Sequence, residues 1–367
     1  MSRILISGYY GFNNAGDDVV LYGIISSLVR EQPNISLAVL SNTPERTAEL
    51  FGIEAYDRWS LGTIIRELKR SDMLVMGGGT LMQDVTSPRS VLYYLGIVMI
   101  AKLLGKPVVF YAQGFGPILK SLSRSMIKRV VNRVDIITVR DHESGEDFKA
   151  CGVIRAPIHV TADPALTISA DDISDERGKA LLAGMFADAT KPLVAISVRD
   201  WKQEQHFKQS MAKAADWFIE QGWNVLFLPM HVPSDLAPSR QIMDQMTQQG
   251  ARLLDVPVTF HDIMSVLKQC DYVVGMRLHS LILACMLRVP FTGISYDPKI
   301  DRFVERAGMP NAGHITKLDA SSLLTLLSER LKMLDQERET IARQALLLEQ
   351  EAAKSSELVL KALHRKR

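Results

Sequence analysis

The chain is poor in cysteine: Cys151, Cys270 and Cys285 are its three thiols, and no CxxC spacing occurs among them. Such an odd, sparse set excludes a disulfide scaffold and a zinc ribbon, and the three read as core residues. Neither sign of charge dominates, with 43 basic side chains against 41 acidic ones and a formal +2. A strongly basic overall field is therefore excluded, and with it the simplest nucleic-acid reading; any basic footprint must be a local patch. Long hydrophobic runs are missing too. The longest, VLYYLGIVMIA at residues 91–101, stops at Lys102, is too short to span a bilayer and reads as a buried helix. The opening MSRILISGYY lacks a basic segment leading into a long apolar one, so no secretory signal is expected. Absent as well are GxGxxG, the P-loop GK[ST], a G-x-S-x-G elbow and any HxxxH or HExxH spacing. No metal, cofactor or covalent nucleophile is expected.

What is present is apolar content of 47% over 367 residues, enough for about two domains with sizeable cores. The segments RILIS, SLAVLS, DMLVMGG, PVVFYAQG and VDIITVR are short apolar runs bounded by Gly, Pro or Asp. Such runs suit parallel strands buried on both faces. Helical patterns over 18–30, 88–104 and 121–132 separate them. A second series follows from Pro192: PLVAISVRD, WNVLFLPMH, DYVVGMR and VPFTGISYD. The alternation predicts two α/β, Rossmann-like, doubly wound domains, over residues 1–168 and 190–318. A polar linker with a helix lies between them, and 319–367 is a helical C-terminal tail. Two such domains facing each other would make a cleft, with ligands at the carboxyl ends of the strands.

The unusual residues fall at those strand ends. GYYGFNNAGDD, residues 8–18, follows the first strand. Its glycines let backbone N–H groups approach an anion at a helix N-terminus, and Asn13, Asn14 and Asp17 offer hydrogen bonds. The plainer reading makes Asp17 and Asp18 helix caps. Gly77, Gly78 and Gly79 follow a buried strand, which predicts close approach of a ligand or of the other domain. Gln83 and Asp84 come next, and Gln113 closes a later strand. The second domain supplies cations: Arg199, Arg277 with His279, and Lys299 after Tyr296 and Asp297. Together they suit a small, multiply negative ligand. Arg140 is a further strand-end candidate. Lys120, Arg124 and Lys128 recur every four residues, sharing one helix face. That face is either simply solvated or a contact for an anionic membrane or lipid diphosphate.

GYYGFNNAGDD, GGGTLMQD, YAQGFGP, TADPAL and above all GMRLHS, with a lysine twenty residues after the histidine, resemble the polysaccharide pyruvyl transferase family. The likeness spans about residues 3–318 and is closest to the CsaB branch, which acts on bacterial secondary cell-wall polymers. It implies a glycosyltransferase-B-type fold and transfer of pyruvate from phosphoenolpyruvate to a sugar as a 4,6-ketal, with release of phosphate. For that branch the acceptor is N-acetylmannosamine in a lipid-diphosphate-linked disaccharide. The resemblance assigns Arg199, Arg277, His279 and Lys299 to phosphoenolpyruvate. His279 then acts as the acid, with Arg277 beside it. Asn14, Asp17, Gly78, Gln83 and Gln113 fall to the acceptor, with Asp17 taking the hydroxyl proton. A cytoplasmic enzyme loosely held at the inner membrane face follows. Rival readings are a nucleotide-sugar glycosyltransferase of the same fold and a non-catalytic lipid-diphosphate binding protein.

Overall fold

The computed structural model describes residues 2–85, 88–202 and 204–365. The chain forms two compact units, Met1–Ile168 with Leu348–Arg367, and Ser169–Leu347. The helical segment 319–367 is thus divided between them.

In the first unit the strands are β1 (Arg3–Ser7), β2 (Ser36–Ser41), β3 (Glu54–Asp57), β4 (Met73–Met76), β5 (Gly79–Met82), β6 (Val108–Phe115), β7 (Ile136–Val139) and β8 (Ile158–Val160). They pair in parallel in the order β3-β2-β1-β4-β6-β7-β8, with β5 added beside β6. The second unit has β9 (Leu193–Ser197), β10 (Asn224–Phe227), β11 (Arg252–Leu253), β12 (Tyr272–Gly275), β13 (Phe291–Ser295) and β14 (Asn311–His314). Its parallel order is β11-β10-β9-β12-β13-β14. Strand order therefore reverses between β1 and β4, and again between β9 and β12. Those are the points where open α/β sheets leave a crevice at their carboxyl ends.

Alternation along the strands assigns the two faces of the first sheet. Ile4 and Ile6 join a core with helix Ala15–Glu31, whereas Leu5, Leu74 and Phe110 join the core under helix Pro88–Leu103. Val359, Leu360 and Leu363, at the end of helix Leu334–His364, pack into the first of these cores. Ser355 adds hydrogen bonds to Thr138 (3.0 Å) and Thr161 (2.9 Å). The end of the tail, from Leu348, is thus a structural part of the first unit. In the second unit, Gly178 of helix Asp175–Leu182 lets that helix sit on helix Phe260–Leu267, because a Cβ there would meet the Ser265 carbonyl oxygen at 2.1 Å.

Two expectations are corrected. The run 91–101 does lie in a helix, but the helix is not buried all round: Leu92, Met99 and Leu103 face solvent, Leu103 at 84%. The glycines 77–79 have an explanation inside their own unit. A Cβ on Gly77 would lie 1.9 Å from the Tyr10 hydroxyl, and one on Gly78 2.7 Å from Val20. Gly79 has φ of +95°, in the left-handed region. Close approach is real, but at Gly77 and Gly78 the approaching groups are the unit's own Tyr10 and Val20.

Gly77→Ala is expected to destabilise the protein by about 1–3 kcal/mol through overpacking. Tyr10→Phe, which removes the hydroxyl, should recover part of that loss in the double variant. Denaturant midpoints of the two single variants and the double variant measure it; additive losses would show that the clash is not with Tyr10.

Candidate functional site

At the β1 end of the first unit, Asn14 caps helix Ala15–Glu31. Its Oδ1 accepts from the Gly16 N–H at 3.1 Å, and its Nδ2 donates to the Asp17 carboxylate. An Asp17 carboxylate oxygen lies 3.6 Å from where a Cβ of Gly79 would stand, so Asp17 faces the β4 end. Asp18 is buried in the same turn. Desolvation, then the neighbouring Asp17 charge, push its pKa up to about 7. The sequence singled out Asp17; the carboxyl tuned toward neutrality is the next one.

Gln113 is fully buried, and its Nε2 donates to the carbonyls of Met76 and Gly77. Its amide thus ties β6 to the end of β4, while Oε1 has no partner. Arg140, past the end of β7, reaches across Gly114 to donate to Thr80 Oγ1 at 3.2 Å. Its guanidinium also lies 3.7 Å from Asp141 and 3.6 Å from Asp163. A Cβ at 114 would come within 2.8 Å of the guanidinium, so this arrangement requires glycine. Asn14, Asp17, Gln113 and Arg140 therefore all lie at the strand ends around the first reversal. Gly78 is buried packing, as described, and Gln83 is half-buried beyond β5. Asp84 has a structural task, accepting from the backbone N–H groups of Leu119 (2.7 Å) and Lys120 (3.0 Å). Although partly desolvated, its carboxyl is held below the usual range by those bonds.

In the second unit Arg199 follows β9. Its Nη1 donates to the Tyr296 hydroxyl at 2.9 Å, and its guanidinium lies over the Tyr296 and Trp201 rings, 4.9 and 5.5 Å from their centroids. Lys299 Nζ lies 5.9 Å from the same Tyr296 ring and 3.3 Å from the Asp297 carboxylate. Tyr296 thus joins Arg199 and Lys299 in one cluster. Arg277 occupies the residue just before helix Leu278–Met286 and is gripped through Nε and Nη2 by both oxygens of Asp235, the Nε contact measuring 3.0 Å. Asp235 is fully buried and also accepts from the N–H groups of Met230 (3.1 Å) and His231 (3.0 Å). Its partnership fixes Arg277 in place and cancels most of its charge. His279 stands half-buried in the first turn of the same helix. Asp200, next to Arg199, pairs with the buried Lys208 at 2.6 Å. Asp235 and Lys208 carried no signal in the sequence; Tyr296 and Trp201 were visible only as aromatics beside strand-end cations.

Residues 14–298 match the family described as polysaccharide pyruvyl transferase. The chain belongs to that family. The match begins at Asn14 and leaves Asn13 and Lys299, each one residue outside it, as the two candidate side chains named above that it does not cover. A curated relative, the amylovoran biosynthesis protein AmsJ of Erwinia amylovora, is 23% identical over 93% of this chain and 95% of its own. Among solved structures, S. aureus MnaA with UDP has a TM-score of 0.68 at 11% identity, covering 98% of this chain and 95% of that one. Anabaena Alr3699/HepE with UDP-glucose gives 0.67 at 12% identity, and a glycosyltransferase from Rickettsia africae ESF-5 gives 0.67 at 7%; both cover the whole of each chain. At these identities the structural likeness speaks for the fold, which is glycosyltransferase-B-like. Membership of the pyruvyl transferase family and the AmsJ relation support a transferase that works in polysaccharide modification.

The raised Asp18 pKa has a consequence for stability. Its folded value lies above the unfolded one, so its contribution is intact in acid and is lost as pH rises through about 7. Asp18→Asn should therefore raise Tm at pH 8 and change it little at pH 4. Thermal melts across that range test this; an equal shift at both pH values would contradict it.

Proposed function

We propose that this pyruvyl transferase takes pyruvate from phosphoenolpyruvate and builds it as a ketal onto a sugar of a lipid-diphosphate-linked polysaccharide precursor. The specific product is a 4,6-ketal on N-acetylmannosamine, and phosphate is released. The carrying observation is Arg199. Its hydrogen bonds go to neutral oxygens, the Tyr296 hydroxyl and the Asp200 carbonyl (3.3 Å), so its charge stays available to an anion. Lys299 stands across the same ring. Phosphoenolpyruvate carries a carboxylate and a phosphate, which charge-assisted bonds from these two groups would hold.

Ketal formation sets the remaining roles. The methylene carbon of the enol phosphate must gain a proton and become methyl, which leaves the adjacent carbon oxocarbenium-like. One sugar hydroxyl adds there and loses its proton to a carboxylate; phosphate departs with the C–O electron pair; the second hydroxyl adds to the same carbon, closes the ring and gives its proton to the released phosphate. His279 is the proposed acid, since an imidazole can both give and take a proton in general acid–base catalysis. Arg277, aligned by Asp235, is the proposed hydrogen-bond donor beside His279, and the departing phosphate's charge falls to Arg199 and Lys299. Asp17 is the proposed base, with Asn14, Gln83 and the Gln113 Oε1 as acceptor hydrogen-bonding groups. Arg140 belongs with this set. Gly78 serves it only by leaving room.

The deciding measurement is phosphate release from phosphoenolpyruvate with and without a lipid-linked disaccharide acceptor, in deuterated water. Acceptor-dependent release and solvent deuterium in the product methyl are expected. His279→Gln should lose about 10²-fold or more in kcat, and Arg199→Gln should raise the phosphoenolpyruvate KM. No release, with protection from unfolding by UDP instead, would favour a nucleotide-sugar glycosyltransferase.

Location follows from the acceptor. No described helix is long and apolar enough to cross a membrane. Lys120, Arg124 and Lys128 are exposed on and just before helix Ser121–Val131. That helix packs on helix Pro88–Leu103, whose outward residues include Leu92, Met99 and Leu103. Basic and apolar groups on adjoining helices support docking on the inner leaflet, at about 1 kcal/mol per basic residue. Charge reversal at the three basic positions should reduce pelleting with anionic vesicles; unchanged pelleting would return the helix to a solvated face.

A further inference from the structure

We propose that the aromatic surface built around Arg58, in the first unit, is a binding site for a saccharide bearing an acidic group. The proposal deepens the reading above, resting on it for the identity of the saccharide as the acceptor glycan. Arg58 immediately follows β3, at the carboxyl edge of the sheet, and is 3% exposed. Two of its N–H groups are satisfied by neutral oxygens, the Gly8 carbonyl (2.8 Å) and the Tyr94 hydroxyl (3.3 Å). Its Nε is buried and has no hydrogen-bond partner. The guanidinium carbon lies 5.1 Å from the Phe12 ring centroid, 5.1 Å from Trp59, 4.6 Å from Tyr93 and 5.6 Å from Tyr94.

The other buried cations differ. Arg140 lies against Asp141 and Asp163, and Lys208 pairs with Asp200. Among the described residues no carboxylate pairs with Arg58. Burying a charge without a counter-charge is costly, and cation–π contact offsets only part of that cost. The chain supplies the cation, its aromatic surround and a spare N–H; a ligand anion would complete the set.

The surface over it suits a sugar ring. Trp59 is 62% exposed and its indole is oriented by an Nε1 bond to Asn42 Oδ1 at 2.8 Å. Tyr9 is exposed and stacks on Phe12 with centroids 4.1 Å apart and planes 9° from parallel. The C–H face of a pyranose packs on flat rings of this kind, and its hydroxyls find partners in Asn42 and the tyrosine hydroxyls. The Arg58 charge, undiminished in an aromatic low-dielectric surround, then favours an acidic glycan over a neutral one. The acid is either a uronate carboxylate or a glycosyl phosphate.

Three probes sharing one ring test this on the full-length chain: methyl β-glucuronide, glucose 1-phosphate and methyl β-glucoside. Binding is followed by ligand-observed NMR and tryptophan fluorescence. At least one acidic probe is expected to bind about tenfold tighter than the glucoside, the scale of one charge-assisted bond. Arg58→Gln should erase that preference, and Trp59→Ala should weaken all three probes while leaving Tm nearly unchanged. The better acidic probe tells carboxylate from phosphate. Equal affinities for charged and neutral probes, or a preference that survives Arg58→Gln, would overturn the site. Should Arg58→Gln not fold, the wild-type preference must instead weaken with added salt and all three probes must bind less tightly to Trp59→Ala; failure of either overturns it. Phosphate release from phosphoenolpyruvate, run on the same preparations, separates the two ideas. Acidic-probe binding without pyruvyl transfer sinks the reaction reading alone, whereas transfer with charge-blind binding sinks this site alone.

Discussion

Reversal of strand order is the constraint on which the rest of each unit depends. Parallel strands need crossover helices, and where the winding direction changes beside β1 and β9 the helices leave on opposite faces. The carboxyl ends there have no helix packed across them, so their turns are shaped by whatever fills the gap. In the first unit the filler is Tyr10, whose ring lies where Cβ atoms on Gly8 and Gly77 would be. Those glycines are a packing requirement first. The polar side chains of Asn14 and Asp17 can present themselves at this edge because Tyr10 closes the gap from within. In the second unit the reversal sets Arg199 after β9 and Arg277 with His279 after β12.

The central strands were legible because burial on both faces leaves an unbroken apolar run, as in RILIS, SLAVLS and LVAIS. The strands that left no such mark include the outermost of each sheet: β3 (EAYD), β8 (IHV), β11 (RL) and β14 (NAGH). An edge strand is half solvated, so its composition matches that of a loop. The site was legible to the same depth. Strand-end cations and glycines stand next to apolar runs and announce themselves. Asp235 does not, since it lies 42 positions from Arg277 in a loop without pattern, and only folding brings the two together. Asp18 was visible as a residue, but its altered acidity comes from desolvation, which no local spacing encodes.

Charge pairing then sorts the cations. Arg277 and Asp235 form a pair with its remaining acceptor capacity filled by backbone N–H groups, a geometry that fixes an orientation at the expense of net charge. Lys208 and Asp200 do likewise beneath the β9 loop, and Arg140 lies against two carboxylates. These groups can aim a donor or hold a loop, but they contribute little attraction to an incoming anion.

Two arginines are built the other way. Arg199 is held by Tyr296 and Trp201, and Arg58 by Phe12, Trp59, Tyr93 and Tyr94, with neutral oxygens taking their bonded N–H groups. An aromatic face orients a guanidinium through its quadrupole without cancelling the positive charge, whereas a carboxylate orients and cancels together. Each unit thus keeps one rigidly held and largely unneutralised cation at the carboxyl edge of its sheet. The reaction proposed above, with an anionic donor and an acidic acceptor, would call on two such charges. The aromatic residues beside Arg58 and Arg199 are therefore as much a part of the electrostatics as the arginines themselves, because a carboxylate partner in their place would cancel the charge that the rings leave intact.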